Sequence, residues 1–371
     1  MRFLSADWIF PLHIPPIKNG VIQVSETGEI INIFHNTDQV NVTLLEIYDG
    51  ILCPGFVNAH CHLELSHLFG ISEKKKGLIN FIEVIRKRNS FTKTQIYESI
   101  ELAEQNMINN GIVAVGDICN TKDTIFQKQK NKMKYYNFIE VFQLDEKKIN
   151  ETMHNARLIR KSFRNSNLLA TIVPHSYYSV SFNLMSKIID EFNELDRLLC
   201  IHNQETKLEN DFFDRRKGKL FNWVLGLNPL SKIYNERNKS TRIMNQLDNK
   251  KLMMVHNTFS CKKEIKDYYY CTCPKANIYI ENSLPNYSIF NPEKLCVGTD
   301  SLASNDSLSI FEELLVIKKH SNFNKQDLLN IGCRNGAIAL GFDSLGTFET
   351  GKVPGVNLIN SQFTKFKKVI I

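Results

Sequence analysis

The chain has 371 residues, of which 43% are hydrophobic and 23% charged, and its formal net charge is +7. A chain of this length buries a large core without disulfide staples, and its composition is ordinary globular usage, so a mini-protein and a wholly disordered chain are both excluded. The positive charge sits in Lys-rich runs at 74–76, 128–134 and 365–368, with Phe366 the one aromatic inside them, so no nucleic-acid groove is expected.

The chain opens on MRFLSADWIF, with Asp7 inside the apolar stretch and Pro11, Pro15 and Pro16 close behind, which is a poor signal peptide. No run of about 18 apolar residues follows, so no membrane span is expected. The nine cysteines are odd in number and irregularly spaced, which points to a reduced, cytoplasmic protein. Residues 1–50 read as short strands punctuated by Gly20 and Gly28.

From residue 51 the pattern changes. Short β-branched runs at 51–58, 112–119, 135–142, 169–174, 198–202, 252–256, 270–273 and 295–298 alternate with helical segments. The segment 94–109 is a clear helix, with Ile96, Ile100, Ala103 and Met107 on one face and Gly111 as its stop. Such alternation predicts a parallel sheet with helices outside. Eight units over about 250 residues match a (β/α)8 TIM barrel, although a doubly wound sheet also fits the pattern. Beyond the eighth run, 309–318 and 325–340 read as helices, and 345–347 and 356–359 return to strand. The expected architecture is α/β: a barrel over 51–344 and a small composite β domain from 1–50 and 345–371.

The strongest chemical signal is the stretch PGFVNAHCHLE. His60 and His62 are separated by one residue at a strand end, so they share a face and can grip one metal. His175 ends the fourth run, His202 the fifth and His256 the sixth, and Asp300 follows the eighth. In a barrel these C-terminal strand ends form the active-site face. Any one of them alone reads as a satisfied polar residue. Five strands in agreement point to a site. Imidazoles and a carboxylate suit a divalent ion, Zn2+ first and Fe2+ as the alternative. Such an ion brings a bound water to a pKa of about 7. Glu205, three residues past His202, is placed to shuttle protons to a leaving nitrogen, and His256 to orient the nucleophile.

Together these segments resemble the amidohydrolase superfamily, in its deaminase and chlorohydrolase branch. The resemblance covers nearly the whole chain: PGFVNAHCHLE, PHS after the fourth strand, His-x-x-Glu after the fifth, VHN, CPKAN, GTDS and the tail LGTFETGKVPGVNLI. HCHLELSHL and CPKANIYIEN are most similar to bacterial aminodeoxyfutalosine deaminase-like amidohydrolases. The resemblance implies His60, His62, His202 and Asp300 as metal ligands, with Asp300 also taking the proton of the nucleophilic water. It implies Glu205 as the proton carrier to the substrate nitrogen, His256 at the hydroxide or oxyanion, and His175 at the heterocycle. No lysine stands in 171–176, where binuclear relatives carry one, so one ion per chain is expected. The chain departs from the family's pattern at Tyr177-Tyr178, at Gln204 and at Lys352 to Gly355.

The expected function is hydrolytic deamination of an amino-substituted N-heterocycle, aminodeoxyfutalosine- or adenosine-like, with release of ammonia. Ring-amide hydrolysis and chloride displacement use the same chemistry. A non-catalytic scaffold would lose ligands, and none is lost. The expected partner is a small heterocycle, with neither nucleic acid nor membrane, and by analogy the enzyme is a homodimer. Glu64 reads as substrate-binding or as a structural contact. Arg86 and Arg88 could hold a carboxylate but read as surface charge. Glu140 faces in or out according to a register that the sequence does not fix.

Overall fold

The computed structural model describes residues 1–227 and 251–371. The N-terminal strands are β1 (Arg2–Ile9), β2 (Ile17–Lys18), β3 (Val21–Val24), β4 (Ile30–Phe34) and β5 (Leu45–Pro54). The next eight are β6 (Phe56–Cys61), β7 (Ile112–Cys119), β8 (Lys134–Val141), β9 (Leu169–Pro174), β10 (Leu199–Asn203), β11 (Leu252–His256), β12 (Tyr269–Thr272) and β13 (Leu295–Val297). The chain closes on β14 (Val356–Ile359) and β15 (Phe366–Val369).

The two chain ends share one sheet, in the order β15-β14-β5-β1-β3-β4, with β2 against β1. Strand β14 runs antiparallel to β5, pairing Val356 with Pro54 and Leu358 with Leu52. Alternating apolar residues of these strands, Leu4, Ala6, Ile22, Val24, Leu52 and Leu358 among them, build a core of their own together with Phe348.

The strand expected over 51–58 is divided between two sheets. Leu45–Pro54 completes the terminal sheet, and Phe56–Cys61 begins the barrel. The switch is Gly55: a Cβ there would lie 2.3 Å from Val113 Cγ1 and 2.7 Å from the Pro354 carbonyl oxygen. The run ILCPGFVN is apolar throughout because both of its halves are buried, so periodicity alone does not mark the break. The segment 345–347, expected as strand, is a bend, with Gly346 at φ +83. The helix expected over 325–340 is interrupted by a π-helical turn at Asn330–Arg334, where Gly332 lies against Leu314 and Cys333 Sγ donates to the Pro54 carbonyl at 3.4 Å.

Strands β6 to β9 form one parallel four-stranded sheet and β10 to β13 a second. Backbone bonds join the two at both seams. The His202 N–H donates to the His175 carbonyl at 2.9 Å, and the Thr299 N–H donates to the His60 carbonyl at 3.0 Å. Parallel bridges pair Ser176 with His202 and Cys61 with Asp300. The architecture is α/β of the TIM-barrel type. Its seams lie at the C-terminal strand ends, among the site residues themselves.

The helix Lys93–Asn109 shows how the intervening segments fold. Thr92 and Gln95 form a reciprocal capping box, and Ile96, Ile100, Ala103 and Met107 are buried. Among the described residues no helix is long and apolar enough to cross a membrane.

Candidate active site

His60 and His62 project from the end of β6 with their Nε2 atoms 3.2 Å apart. His202 Nε2 lies 3.4 Å from His62 Nε2. Asp300 Oδ1 lies 3.2 Å from His62 Nε2 and 3.7 Å from His60 Nε2. A tetrahedral zinc site with bonds of about 2.0–2.1 Å has ligand-to-ligand edges of about 3.3 Å, and these four separations lie near that value. His202 Nδ1 faces the His175 carbonyl at 2.9 Å. A carbonyl only accepts, so Nδ1 carries the proton and Nε2 offers a lone pair to the centre.

The electrostatics favour neutral imidazoles and an ionised carboxylate. Burial pulls His62 down to about 3 and holds His202 well below the usual histidine range. Burial alone would raise Asp300, but His60, His62 and His256 outweigh it and keep the carboxyl low. Neighbouring side chains fix the ligands. Ser304 Oγ donates to Asp300 Oδ2. The Leu63 N–H donates to Asp117 Oδ1 at 2.8 Å, which anchors the chain just past His62. Asp117 is itself paired with Lys128, and both side chains are fully buried.

Four residues at these strand ends adopt left-handed backbone: Gln204 (φ +45), His256 (φ +69), Asn257 (φ +53) and Asp300 (φ +58). Such conformations are costly for residues with a Cβ and gather where the surroundings over-determine them, as at functional sites.

Glu205 is buried beside the cluster, with Oε1 3.7 Å from His256 Nε2. Burial, reinforced by Asp300, raises its carboxyl well above the usual range. His256 Nδ1 faces Asn277 Oδ1 at 2.8 Å. With that carboxamide oxygen as acceptor, Nδ1 bears the proton and Nε2 faces the site bare. Burial draws His175 down to about 4. Its Nδ1 is held by Ser176 Oγ (2.9 Å) and Ser179 Oγ (2.8 Å). Above these residues opens a cavity of about 670 Å³, within the range of sites for drug-sized ligands. One wall is apolar, with Phe81, Ile82, Ile85 and Trp223. The other carries Arg88, Asn120, Glu140 and His175.

The structure thus brings His60, His62, His175, His202, Glu205, His256 and Asp300 to one place. Glu64 stands apart. Its carboxylate accepts from the Asn120 N–H (3.1 Å), the Thr121 N–H (3.0 Å), Thr121 Oγ1 (2.8 Å) and Arg88 Nη1 (3.3 Å). It is engaged by protein donors behind the cavity wall.

A model of the amidohydrolase family matches residues 51–371. The chain belongs to the amidohydrolase family. It is 25% identical over 369 residues to 5'-deoxyadenosine deaminase of Methanosphaera stadtmanae, covering 92% of this chain and 81% of that one. It is 23% identical over 327 residues to aminodeoxyfutalosine deaminase of Nitratiruptor, covering 84% and 79%. The fold superposes on Helicobacter pylori aminofutalosine deaminase bound to methylthio-coformycin with a TM-score of 0.82, at 19% identity, over 100% of this chain and 98% of that one. As a family member the protein is a hydrolase acting on carbon–nitrogen bonds.

Sequence reasoning missed three polar groups of this amidohydrolase. Arg88, read as surface charge, lines the cavity with its side chain only 27% exposed. Glu140 faces the cavity from β8, a strand buried from Tyr135 to Val141 whose text carries no alternation to reveal a register. Asn277, inside CPKAN, orients His256. Its place one turn into the helix Pro274–Glu281, just past a strand end, was the available signal.

Proposed function

We propose that this amidohydrolase is a hydrolytic deaminase of an amino-substituted N-heterocycle of the adenosine type, releasing ammonia. The observation that carries the reading is Glu205: a carboxyl whose burial favours its protonated form, 3.7 Å from His256 Nε2 and beside the His60, His62, His202 and Asp300 side chains at the floor of a ligand-sized cavity. The donor set fits one Zn2+ per chain, with His60, His62, His202 and Asp300 as ligands, and β9 supplies no lysine for a second ion. Such an ion, when bound, acidifies a water to a pKa of about 7.

The chain's own groups do the rest. Asp300 takes a proton from the attacking water. The bare Nε2 of His256, fixed by Asn277, accepts a hydrogen bond from the same water and aims it at the ring carbon. Glu205 gives its proton to the ring nitrogen beside that carbon. The carbon–oxygen bond forms, the carbon–amine bond breaks, the proton held by Asp300 leaves with the amine as ammonia, and the proton left on the new hydroxyl returns to Glu205 as that oxygen becomes a carbonyl. His175 contacts the heterocycle from the fourth strand. All nine cysteines are free thiols, which supports the cytoplasm as the compartment.

The test is ammonia release from zinc-loaded protein on 5'-deoxyadenosine, adenosine, aminodeoxyfutalosine, guanine and cytosine, with Glu205→Ala as control. Release that the variant abolishes supports the reading. Chloride from a chlorotriazine, or a ring-opened acid from a cyclic amide, with no ammonia from the panel, would replace it.

A further inference from the structure

The reaction as derived leaves Glu140, a carboxyl on the cavity wall, without a role. Glu140 is the penultimate residue of β8, with its side chain 4% exposed. Asn120 Nδ2 donates to its Oε2 at 3.1 Å. Among the described residues its Oε1 has no hydrogen-bond partner. The neighbouring His202 Nδ1 lies 3.5 Å away and already faces the His175 carbonyl at 2.9 Å. A carboxylate oxygen so deeply buried and so placed is unfavourable unless a donor reaches it. The described residues do not supply that donor, and the oxygen belongs to a side chain that lines the ligand cavity.

The surroundings hold Glu140 in place and define what it can bind. Asn120 is clamped from three sides: its N–H donates to Glu64 (3.1 Å), its Oδ1 accepts from Arg88 Nη1 (3.3 Å), and its Nδ2 also donates to the Glu140 carbonyl (3.2 Å). The carboxylate is therefore preorganised and not a mobile surface group. A cationic ligand group is disfavoured here, because Arg88 and the metal centre lie on the same side. A neutral hydroxyl suits the site: it donates to Oε1 and adds no charge. Because Oε1 lies one imidazole away from the cluster, the hydroxyl must sit on the substituent next to the reacting ring.

We propose that Glu140 is a specificity-determining residue, whose Oε1 accepts a hydrogen bond from a hydroxyl of a sugar-like substituent on the heterocycle. The proposal rests on the deaminase reading for its substrate, and its test separates the two. Zinc-loaded parent, Glu140→Leu and Glu140→Gln are compared on adenosine and 2',3'-dideoxyadenosine, with metal content measured for each. A site built to bond a hydroxyl rejects the analogue that lacks it, so the parent should favour adenosine by at least about 100-fold in kcat/KM. Glu140→Leu should collapse that ratio to within about threefold, chiefly through KM for adenosine. Glu140→Gln, which replaces a carboxyl acceptor with an amide, should reduce it about tenfold and serves if the leucine variant does not fold.

Equal loss on both substrates, or loss of zinc from the variants, would make Glu140 a support for His202 and overturn the proposal. So would a parent that does not discriminate. If no ammonia is released from either compound, calorimetric binding of the same pair reads the same ratio. Discrimination that depends on Glu140 then sustains the hydroxyl contact while the deaminase reading fails, and binding without discrimination sinks it.

Discussion

In the proposed reaction Glu205 and His256 set the direction of proton flow, and each is tuned by one neighbour or by burial. Glu205→Gln removes the transferable proton and keeps the shape. It should lower kcat by about 10²- to 10⁴-fold while zinc content stays at the parent's level, measured by metal analysis beside ammonia release. Asn277 acts one step behind. Its Oδ1, 2.8 Å from His256 Nδ1, fixes which ring nitrogen is bare. Asn277→Ala frees that choice and should lower kcat about 10- to 100-fold, with KM changed by less than about threefold. The strand-end histidines were legible in the sequence because each closes an apolar run. Arg88, Glu140 and Asn277 were not: a charge in a helical run reads as surface, and a strand buried on both faces hides its register.

At the scale of elements, one buried ion pair braces the strands that carry the site, and another braces the terminal sheet. Lys128 ties to Asp117, whose other oxygen anchors the backbone just past His62. Burial would lower Lys128, but Asp117 keeps it charged. Lys128→Met leaves a buried carboxylate unpaired and should cost about 3–5 kcal/mol in urea unfolding, a loss that Asp117→Asn in the same chain partly restores. In the terminal sheet, Arg2 on β1 makes a two-pronged contact with Glu46 on β5, both bonds 2.7 Å. The bond from Arg2 holds Glu46 down to about 2. The unfolded carboxyl titrates near 4.3, so this contribution is complete above that pH and is lost as pH falls toward 2. Both side chains are 38% exposed, so solvent screens the pair to about 0.2–1 kcal/mol. Glu46→Gln should show that deficit at pH 7 and a smaller one at pH 3. The helix Lys93–Asn109 was readable to within a residue because cap, face and stop are all local. The split of 51–58 between two sheets was not, because the turn at Gly55 is made by contacts with Val113 and Pro354, far along the chain.

For the whole molecule, the proposed metal site and the seams between the two barrel sheets are one structure. The backbone of His60, His175 and His202 makes the seam bonds, while the side chains of His60 and His202 face the centre. An ion held there should therefore stabilise the ring as a whole. Chelation should abolish ammonia release and lower the Tm by several degrees, and Zn2+ should restore both. Free metal at 100 times its Kd is worth about 2.7 kcal/mol of stability. The sequence alone determined the alternation of strand and helix and the polar residues at the strand ends. Each follows from local periodicity or from residue types whose chemistry admits few other uses. Only the tertiary structure decided that Glu64 holds the Asn120–Thr121 loop, that Arg88 and Glu140 face the cavity, and that one apolar run crosses from sheet to sheet. Those outcomes depend on which distant groups meet a side chain, and distance along the chain carries no signal of them.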